Sequence, residues 1–144
     1  MTDDERYMTL ALAQAQEALQ LDEVPVGCII VSGNSIIGRG HNLTQTLGDV
    51  TAHAEMQAIT AASNTLGGKY LQDCTLYVTL EPCIMCAGAL GWAQISRVVY
   101  GASDPKRGFT NLAPQALHPK CRVEKGVLAD QCQDLLQTFF KKKR

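Results

Sequence analysis

The fold is decided by residues 75–93, TLYVTLEPCIMCAGALGWA, in which a strand runs directly into a helix. The segment Thr75–Leu80 is rich in β-branched and aromatic residues, which favour a buried strand. Pro82 suits the first turn of a helix, because the N–H group that proline lacks would have no partner there. We therefore predict a helix from Pro82 to about Ala93, and a strand joined to a helix in this way is typical of α/β folds.

The sequence on either side of this segment also alternates between helices and strands. Thr2 and Glu5 have the spacing of a capping box, which predicts a helix that continues to about Leu21. The dipeptide Gly33-Asn34 separates apolar stretches at 26–31 and 35–41 and is typical of a hairpin turn. The remaining predicted elements are a helix over 52–63 capped by Asp49 or Thr51, a strand over 97–100, a long loop over 102–120, a strand over 122–127 and a helix over 130–142. This order predicts a three-layer α/β/α sandwich whose mixed five-stranded sheet has helices on both faces, with an antiparallel hairpin and later parallel strands.

Length and composition limit the class of protein. The chain has 144 residues, so we treat residues 1–144 as one domain. Hydrophobic residues make up 46% and charged residues 19%, which excludes a disordered or collagen-like chain. The sequence has no apolar run long enough for a membrane span. Its first residues include Asp3, Asp4 and Glu5 and do not resemble a secretory leader, so we expect a cytoplasmic protein.

Charge is divided unevenly between the two halves of the chain. Residues 1–68 hold two basic and eight acidic residues, a balance of −6, whereas residues 69–144 hold eleven basic and six acidic residues, a balance of +5. The two balances add to the formal net charge of −1. Such asymmetry is expected if one face of the protein meets a polyanion, although a chance segregation of solvated charges gives the same pattern.

His53, Cys83 and Cys86 form a candidate metal site. Zinc prefers nitrogen and thiolate ligands in a tetrahedron, and one histidine with two cysteines leaves the fourth position open, as in catalytic zinc sites. Both segments enter a predicted helix, where the partial positive charge of the helix N-terminus favours a thiolate. Cys83 and Cys86 lie about one helical turn apart and can therefore bind one ion. The alternative is a structural zinc site or a redox pair of cysteines, with His53 in a capping role.

Glu55 follows the candidate ligand His53 by two residues and is the candidate catalytic residue. A carboxylate next to the metal can take a proton from water and deliver it to a leaving nitrogen. The order H-x-E followed by P-C-x-x-C is the signature of zinc-dependent nucleobase deaminases. Of the other four cysteines, Cys28 and Cys74 fall in apolar stretches and are predicted to be small buried residues with free thiols.

The sequence resembles the bacterial tRNA-specific adenosine deaminases of the cytidine/deoxycytidylate deaminase superfamily. The resemblance extends over essentially the whole chain and is strongest around the candidate metal site. The segments that carry it are Pro25-Val26-Gly27, Gly40-His41-Asn42, residues 51–56 (TAHAEM), residues 79–89 (TLEPCIMCAGA), residues 99–102 (VYGA) with Asp104 and Lys106, and the ending from Gly126 to Phe140. The resemblance implies a cytidine-deaminase-like α/β/α fold and one zinc ion per subunit.

The resemblance also implies the roles of individual residues. His53, Cys83 and Cys86 would bind zinc, and Glu55 would move protons. The implied substrate contacts are Asn42 to the purine, Val26 in the pocket wall, Asp104 and Lys106 along the RNA, and Phe140 with the basic tail at the end of the last helix. For Phe140 the alternative is packing within that helix, and for the tail it is a solvated chain end. The implied partners are a tRNA anticodon stem-loop and a second copy of the chain.

We expect the protein to convert adenosine to inosine at the wobble position of a tRNA anticodon. The first alternative is a deaminase of free nucleobases or nucleosides, such as guanine or cytosine, which would share the zinc site. The second is a protein without activity, either a zinc-bearing scaffold or an RNA-binding subunit of an active partner. The intact carboxyl group of Glu55 argues against this second alternative.

Overall fold

A five-stranded sheet lies at the centre of the protein in a computed structural model, which describes residues 1–143 and leaves Arg144 of the basic tail outside the described residues. The strands are β1 (Gly27–Ser32), β2 (Ser35–His41), β3 (Cys74–Leu80), β4 (Arg97–Ala102) and β5 (Arg122–Lys125). They lie in the order β2-β1-β3-β4-β5, with β1 antiparallel to both β2 and β3. The pairs β3–β4 and β4–β5 are parallel, which confirms the predicted mixed sheet.

Six helices surround this sheet. They are α1 (Asp3–Gln20), α2 (Thr44–Leu47), α3 (Ala54–Leu66), α4 (Ile84–Trp92), α5 (Phe109–Leu112) and α6 (Ala129–Lys142). The predicted capping box begins α1: the backbone N–H of Glu5 donates to Oγ1 of Thr2 at 3.1 Å, and the backbone N–H of Thr2 donates to Oε1 of Glu5 at 2.9 Å. Two N–H groups that an α-helix leaves without a helical partner are therefore satisfied by the first four residues after Met1.

Alternate residues of β1 face opposite layers of helices. Cys28 and Ile30 are fully buried in a cluster that includes alanines of α3 and side chains of α4. Ile29 and Val31 are buried in a second cluster with side chains of α1 and α6. Because successive side chains of a strand point to opposite faces, these two clusters fill the two sides of the sheet. The predicted three-layer α/β/α sandwich is confirmed.

Helix α3 packs directly on the backbone of β2. A Cβ atom on Gly40 would overlap the carbonyl oxygen of Ala54 in the first turn of α3, so only glycine permits this approach. The N-cap of α3 is His53, and not Asp49 or Thr51 as predicted. Asp49 instead closes a turn before the helix, because its Oδ1 accepts hydrogen bonds from the N–H and the hydroxyl of Thr51. None of the helices described within residues 1–143 is both long and apolar enough to cross a membrane.

Candidate metal centre and active site

The candidate metal ligands lie at the starts of two helices that pack on the same side of the sheet. His53 is the N-cap of α3 and Cys83 is the N-cap of α4, and both have extended backbone angles. Cys86 lies in the first turn of α4. The strand β3 ends at Leu80, and Pro82 lies just before a helix that is rich in small residues. Cys83 and Cys86 therefore both lie close to the end of this strand.

The distances between the ligand atoms fit a zinc ion. Nδ1 of His53 lies 3.6 Å from Sγ of Cys83 and 3.5 Å from Sγ of Cys86. Tetrahedral zinc, with bonds of about 2.3 Å to sulfur and about 2.0 Å to nitrogen, would place sulfur and nitrogen about 3.6 Å apart. Within residues 1–143, the cluster with ligand atoms inside 4.8 Å of one another has these three members. Three protein ligands leave one coordination position for water or substrate.

The electrostatics of the cluster favour the thiolate that a metal ion requires. A hydrogen bond from the Cys86 thiol, supported by His53, lowers the pKa of Cys83 to about 3, whereas the same contact raises the pKa of Cys86. The hydrogen bond with Cys83 raises the pKa of His53 above its usual value. These shifts favour a thiolate at Cys83 next to the imidazole, and thiolates are the form of cysteine that binds metal.

Glu55 lies beside the three ligand residues, in the first turn of α3. Glu55 is only 4% exposed, and this burial raises the pKa of its carboxyl group to about 7. A carboxyl group with a pKa near neutrality exchanges protons readily at physiological pH, as general acid–base catalysis requires. The position and the chemistry both suit the proton transfer predicted for this residue.

A cavity of about 420 Å³ opens over the metal ligands and Glu55. Its wall includes three of the predicted substrate contacts, Val26, Asn42 and Asp104. Lys106 is exposed on the following loop, and Phe140 is 46% exposed on α6; neither lines this cavity. Phe139, in contrast, is buried, and its ring packs edge-on against that of Phe140 at a centroid distance of 5.4 Å.

Two of the wall residues are held by specific hydrogen bonds. The Asn42 side chain is buried, its Oδ1 accepts from the backbone N–H of Thr44 at 3.2 Å, and its Nδ2 donates to the carbonyl of Val24 at 3.4 Å. The backbone N–H of Gly27 donates to the buried hydroxyl of Thr79 at 3.1 Å, which fixes the chain next to Val26. These hydrogen bonds hold Asn42 to the chain at Val24 and Thr44, and they hold the start of β1 to β3.

The cavity wall also contains Glu81 and Arg107, for which no role was predicted from the sequence. Glu81 is only 4% exposed, and its carboxylate accepts three hydrogen bonds from the chain after β4. A signal for it exists in the sequence, since an acidic residue between an apolar strand and a Pro-Cys pair is unexpected unless the carboxylate has partners. Arg107 adds a cation to the edge of the cavity.

The layered sheet and the His-Cys-Cys cluster with its neighbouring carboxyl group define a class of protein, the zinc-dependent nucleobase deaminases. The model of one family, the cytidine and deoxycytidylate deaminase zinc-binding region, matches residues 1–102. The chain belongs to the cytidine and deoxycytidylate deaminase family.

Within this family the chain is similar to enzymes that act on tRNA. It is 44% identical to the tRNA-specific adenosine deaminase of Streptococcus pyogenes serotype M18, over 96% of this chain and 90% of that protein. A solved structure from a study of A-to-I editing by tRNA:A34 deaminases at the wobble position is 41% identical, with a TM-score of 0.85 over 91% of this chain and 99% of that one. The guanine deaminase of Bacillus subtilis is 37% identical, with a TM-score of 0.67 over 82% of this chain and 72% of that one.

Proposed function

We propose that the protein is a zinc-dependent hydrolase that converts adenosine to inosine at the wobble position of a tRNA anticodon. The observation that carries this proposal is the convergence of Nδ1 of His53 with the two sulfur atoms, 3.5 and 3.6 Å away, on a cavity that contains the buried Glu55. The similarity over nearly the whole chain to tRNA-specific adenosine deaminases supports tRNA as the substrate.

The chemistry requires water to replace the amino group at C6 of adenine, with release of ammonia. A zinc ion held by His53, Cys83 and Cys86, one per subunit, would lower the pKa of a water molecule to about 7. Glu55 is the residue that moves protons: it takes the two protons of the attacking water and delivers one to the ring nitrogen next to C6 and one to the departing amino group. The water oxygen then remains on C6, and ammonia leaves. Its burial, with a pKa near 7, allows it to hold and release a proton at neutral pH.

The cavity is suited to a single base outside its stack. Its volume of about 420 Å³ falls in the range of small-molecule sites. Val26 offers an apolar surface to the base, and the Asn42 amide lies where it can bond polar atoms of the purine. Enzymes that act on a base must take it out of the stack, and an anticodon loop is single-stranded, so that extrusion costs less there than in a duplex.

The residues around the cavity mouth suit contact with RNA. Asp104 and Arg107 lie in its wall, and Lys106 is exposed beside them. Phe140 is half exposed on α6, close to the basic end of the chain. We assign Asp104, Lys106 and Phe140 to RNA contacts. The cationic side chains of Lys106 and Arg107 would lie near phosphates, and the ring of Phe140 would be available for stacking on a base. Lys143, within the basic tail, forms an ion pair with Asp22 at 2.5 Å, and Asp22 lies just after α1.

We also infer that the active form is a homodimer. Trp92 is 86% exposed and Ile84 is 49% exposed, and both belong to α4, the helix that begins at Cys83. Large exposed apolar side chains on one helix are typical of a protein interface. A second copy of the chain packed here would cover them close to the metal ligands.

We also propose that the protein acts in the cytoplasm, as its proposed tRNA substrate suggests.

A comparison of separate reactions distinguishes tRNA from the alternative substrates. The zinc-loaded protein is incubated separately with a tRNA transcript carrying a wobble adenosine, free adenosine, guanine and cytosine, and ammonia release is measured. We expect release with the transcript and none above background with the free compounds. Deamination of guanine or cytosine without reaction of the transcript would favour the alternative function, that of a deaminase of free nucleobases such as the guanine deaminase to which the chain is also similar.

A further inference from the structure

The carboxylate of Glu81 attaches the chain after β4 to the edge of the candidate active site. Oε1 accepts a hydrogen bond from the backbone N–H of Asp104 at 3.0 Å. Oε2 accepts from the backbone N–H of Thr110 at 3.0 Å and from its hydroxyl at 2.6 Å. A buried carboxylate is costly without partners, and here both oxygen atoms have them.

The segment that Glu81 holds, residues 103–110, is named here the 103–110 loop. Asp104 organises its centre, because its Oδ1 accepts from the backbone N–H groups of Lys106 at 3.1 Å and Arg107 at 3.0 Å. The carboxylate of Glu81 therefore fixes Asp104, and Asp104 fixes the two cationic residues that follow it. Asp104 and Arg107 are the members of this loop that line the cavity.

The backbone of the 103–110 loop lies in close contact with the Glu81 carboxylate. A Cβ atom on Gly108 would overlap Oε2 of Glu81, so the loop backbone lies directly on the carboxylate. The backbone N–H of Phe109 donates to the carbonyl of Pro82 at 3.0 Å, and Gly108 forms an isolated β-bridge with Cys83. The loop thus also contacts the main chain of the two residues that follow Glu81, and the Glu81 side chain joins Asp104 to Thr110.

We propose that Glu81 is a positioning residue for the RNA substrate, acting through the 103–110 loop and not through the metal site. This inference rests on the proposed function, because it takes the cavity wall formed by Asp104 and Arg107 to be a surface that meets RNA. Packing alone would be satisfied by an apolar side chain at this position, whereas the observed contacts need two acceptor oxygens that face three donors. The side chain of Glu81 contacts the loop, whereas His53 and Cys83 are positioned as helix N-caps. Because Gly108 also forms a β-bridge with Cys83, zinc content is measured in every variant.

The test compares steady-state kinetics on a tRNA transcript for the zinc-loaded, full-length variants Glu81→Gln and Thr110→Val. Each removes part of the contact: the amide presents a donor where an acceptor is needed, and valine lacks the hydroxyl. We expect KM to rise about tenfold or more, as loss of one charge-assisted hydrogen bond would give, with kcat within about threefold of wild type. Zinc content should stay close to wild type, whereas the melting temperature should fall by a few degrees, because a buried carboxylate contact also stabilises the fold.

Two further variants separate positioning from general damage. Thr110→Ser retains the hydroxyl group and should keep a KM close to wild type. The double variant Glu81→Gln/Thr110→Val should raise KM little more than Glu81→Gln alone, because both changes break the same contact. Glu17→Gln is the matched control, since that carboxylate lies on α1 with a side chain 57% exposed.

Each other outcome overturns the proposal. A KM unchanged in both Glu81→Gln and Thr110→Val would show that the loop does not need this contact. A fall in kcat or zinc content at constant KM would place the role of Glu81 in the metal site, and equal effects of serine and valine at position 110 would make the hydroxyl irrelevant. If the wild-type protein itself leaves tRNA unchanged, the proposed function fails, and that result is independent of the variants.

Discussion

Sγ of Cys83 lies 3.6 Å from Nδ1 of His53, although the two residues are 30 positions apart in the chain. Each is the N-cap of its helix, so its backbone is fixed by the first hydrogen bonds of that helix and not by the metal. The ligand geometry is therefore set by how α3 and α4 pack on the sheet. Such preorganisation reduces the entropy that metal binding must overcome.

Replacing Cys83 by alanine should abolish stoichiometric zinc binding and lower the melting temperature of the purified protein. Metal binding is linked to folding, so loss of one of three ligands removes both the ion and its stabilisation. Plasma emission spectroscopy and thermal melts measure the two effects. Cys121→Ala is the control, because this thiol lies outside the cluster, and it should retain one zinc ion per chain. A Cys83→Ala protein with full zinc content would rule out the proposed ligand set.

Replacing Glu55 by alanine should leave zinc bound and reduce turnover of tRNA by about 100-fold to 10,000-fold, the usual contribution of a general acid–base group. The carboxyl group lies next to the ligands without belonging to them, which is why binding and catalysis should separate. Metal content and inosine formation are measured on the same preparation. Substantial activity in this variant would assign the proton transfers to another group.

Replacing Asp4 by asparagine should destabilise the fold at neutral pH. The Arg97 guanidinium donates hydrogen bonds to both carboxylate oxygens at 2.9 and 2.6 Å, and this contact holds the pKa of Asp4 below its usual value of 3.8. The Tyr77 hydroxyl also donates to this carboxylate, at 2.7 Å. Loss of the charged acceptor should cost about 1–3 kcal/mol in the free energy of unfolding at pH 7.

This stabilisation has a defined dependence on pH. A carboxyl group whose pKa is depressed by folding stabilises the protein above the pKa of the unfolded chain, and the effect disappears as pH falls through the folded value. The difference between wild type and Asp4→Asn, measured by urea denaturation, should therefore be constant from pH 7 to about 5 and shrink below about 4. Asp3→Asn is the control, since Asp3 is exposed and should change stability by less than about 0.5 kcal/mol. A difference that grows on acidification would contradict the assigned contact.

Replacing Trp92 by lysine should convert the inferred homodimer to a monomer. A charge at the centre of an apolar interface is left desolvated and without a partner, which costs several kcal/mol of association energy. Analytical ultracentrifugation measures the change. Leu10→Lys, at a partly exposed position of α1, should leave the sedimentation coefficient of the wild type unchanged. The interface does not include α4 if Trp92→Lys sediments as wild type does.

Much of the fold could be predicted because its signals are local. The capping box of Thr2 and Glu5 and the Gly33-Asn34 turn depend on residues a few positions apart, and the structure contains both features. The helix predicted to begin at Pro82 begins instead at Ile84, because Cys83 takes the N-cap position and Pro82 lies just before it. The short helices α2 and α5 were not predicted, since four residues are too few to show helical periodicity. The helix cap at His53 was missed because Asp49 uses its side chain in the preceding turn.

The candidate site also contains residues with a local sequence signal and residues without one. His53, Glu55, Cys83 and Cys86 fall in two short segments whose spacing carries the chemistry, and the structure brings them together. The role of Glu81 was missed because its partners lie 23 and 29 positions further along the chain. Its position between an apolar strand and a Pro-Cys pair indicates that the carboxylate has partners but does not identify them. The RNA contacts assigned to Lys106 and Phe140 stay predictions, because these side chains lie outside the cavity wall.

The most direct measurement is inosine mapping by sequencing after incubation of the zinc-loaded protein with total tRNA. We predict conversion at the wobble adenosine of the anticodon, at a rate at least about 100-fold lower in a parallel reaction with Glu55→Ala. Unmodified tRNA from a wild-type preparation that contains one zinc ion per chain would overturn the proposed function, and conversion at the wild-type rate after replacement of Glu55 would overturn the role of this residue.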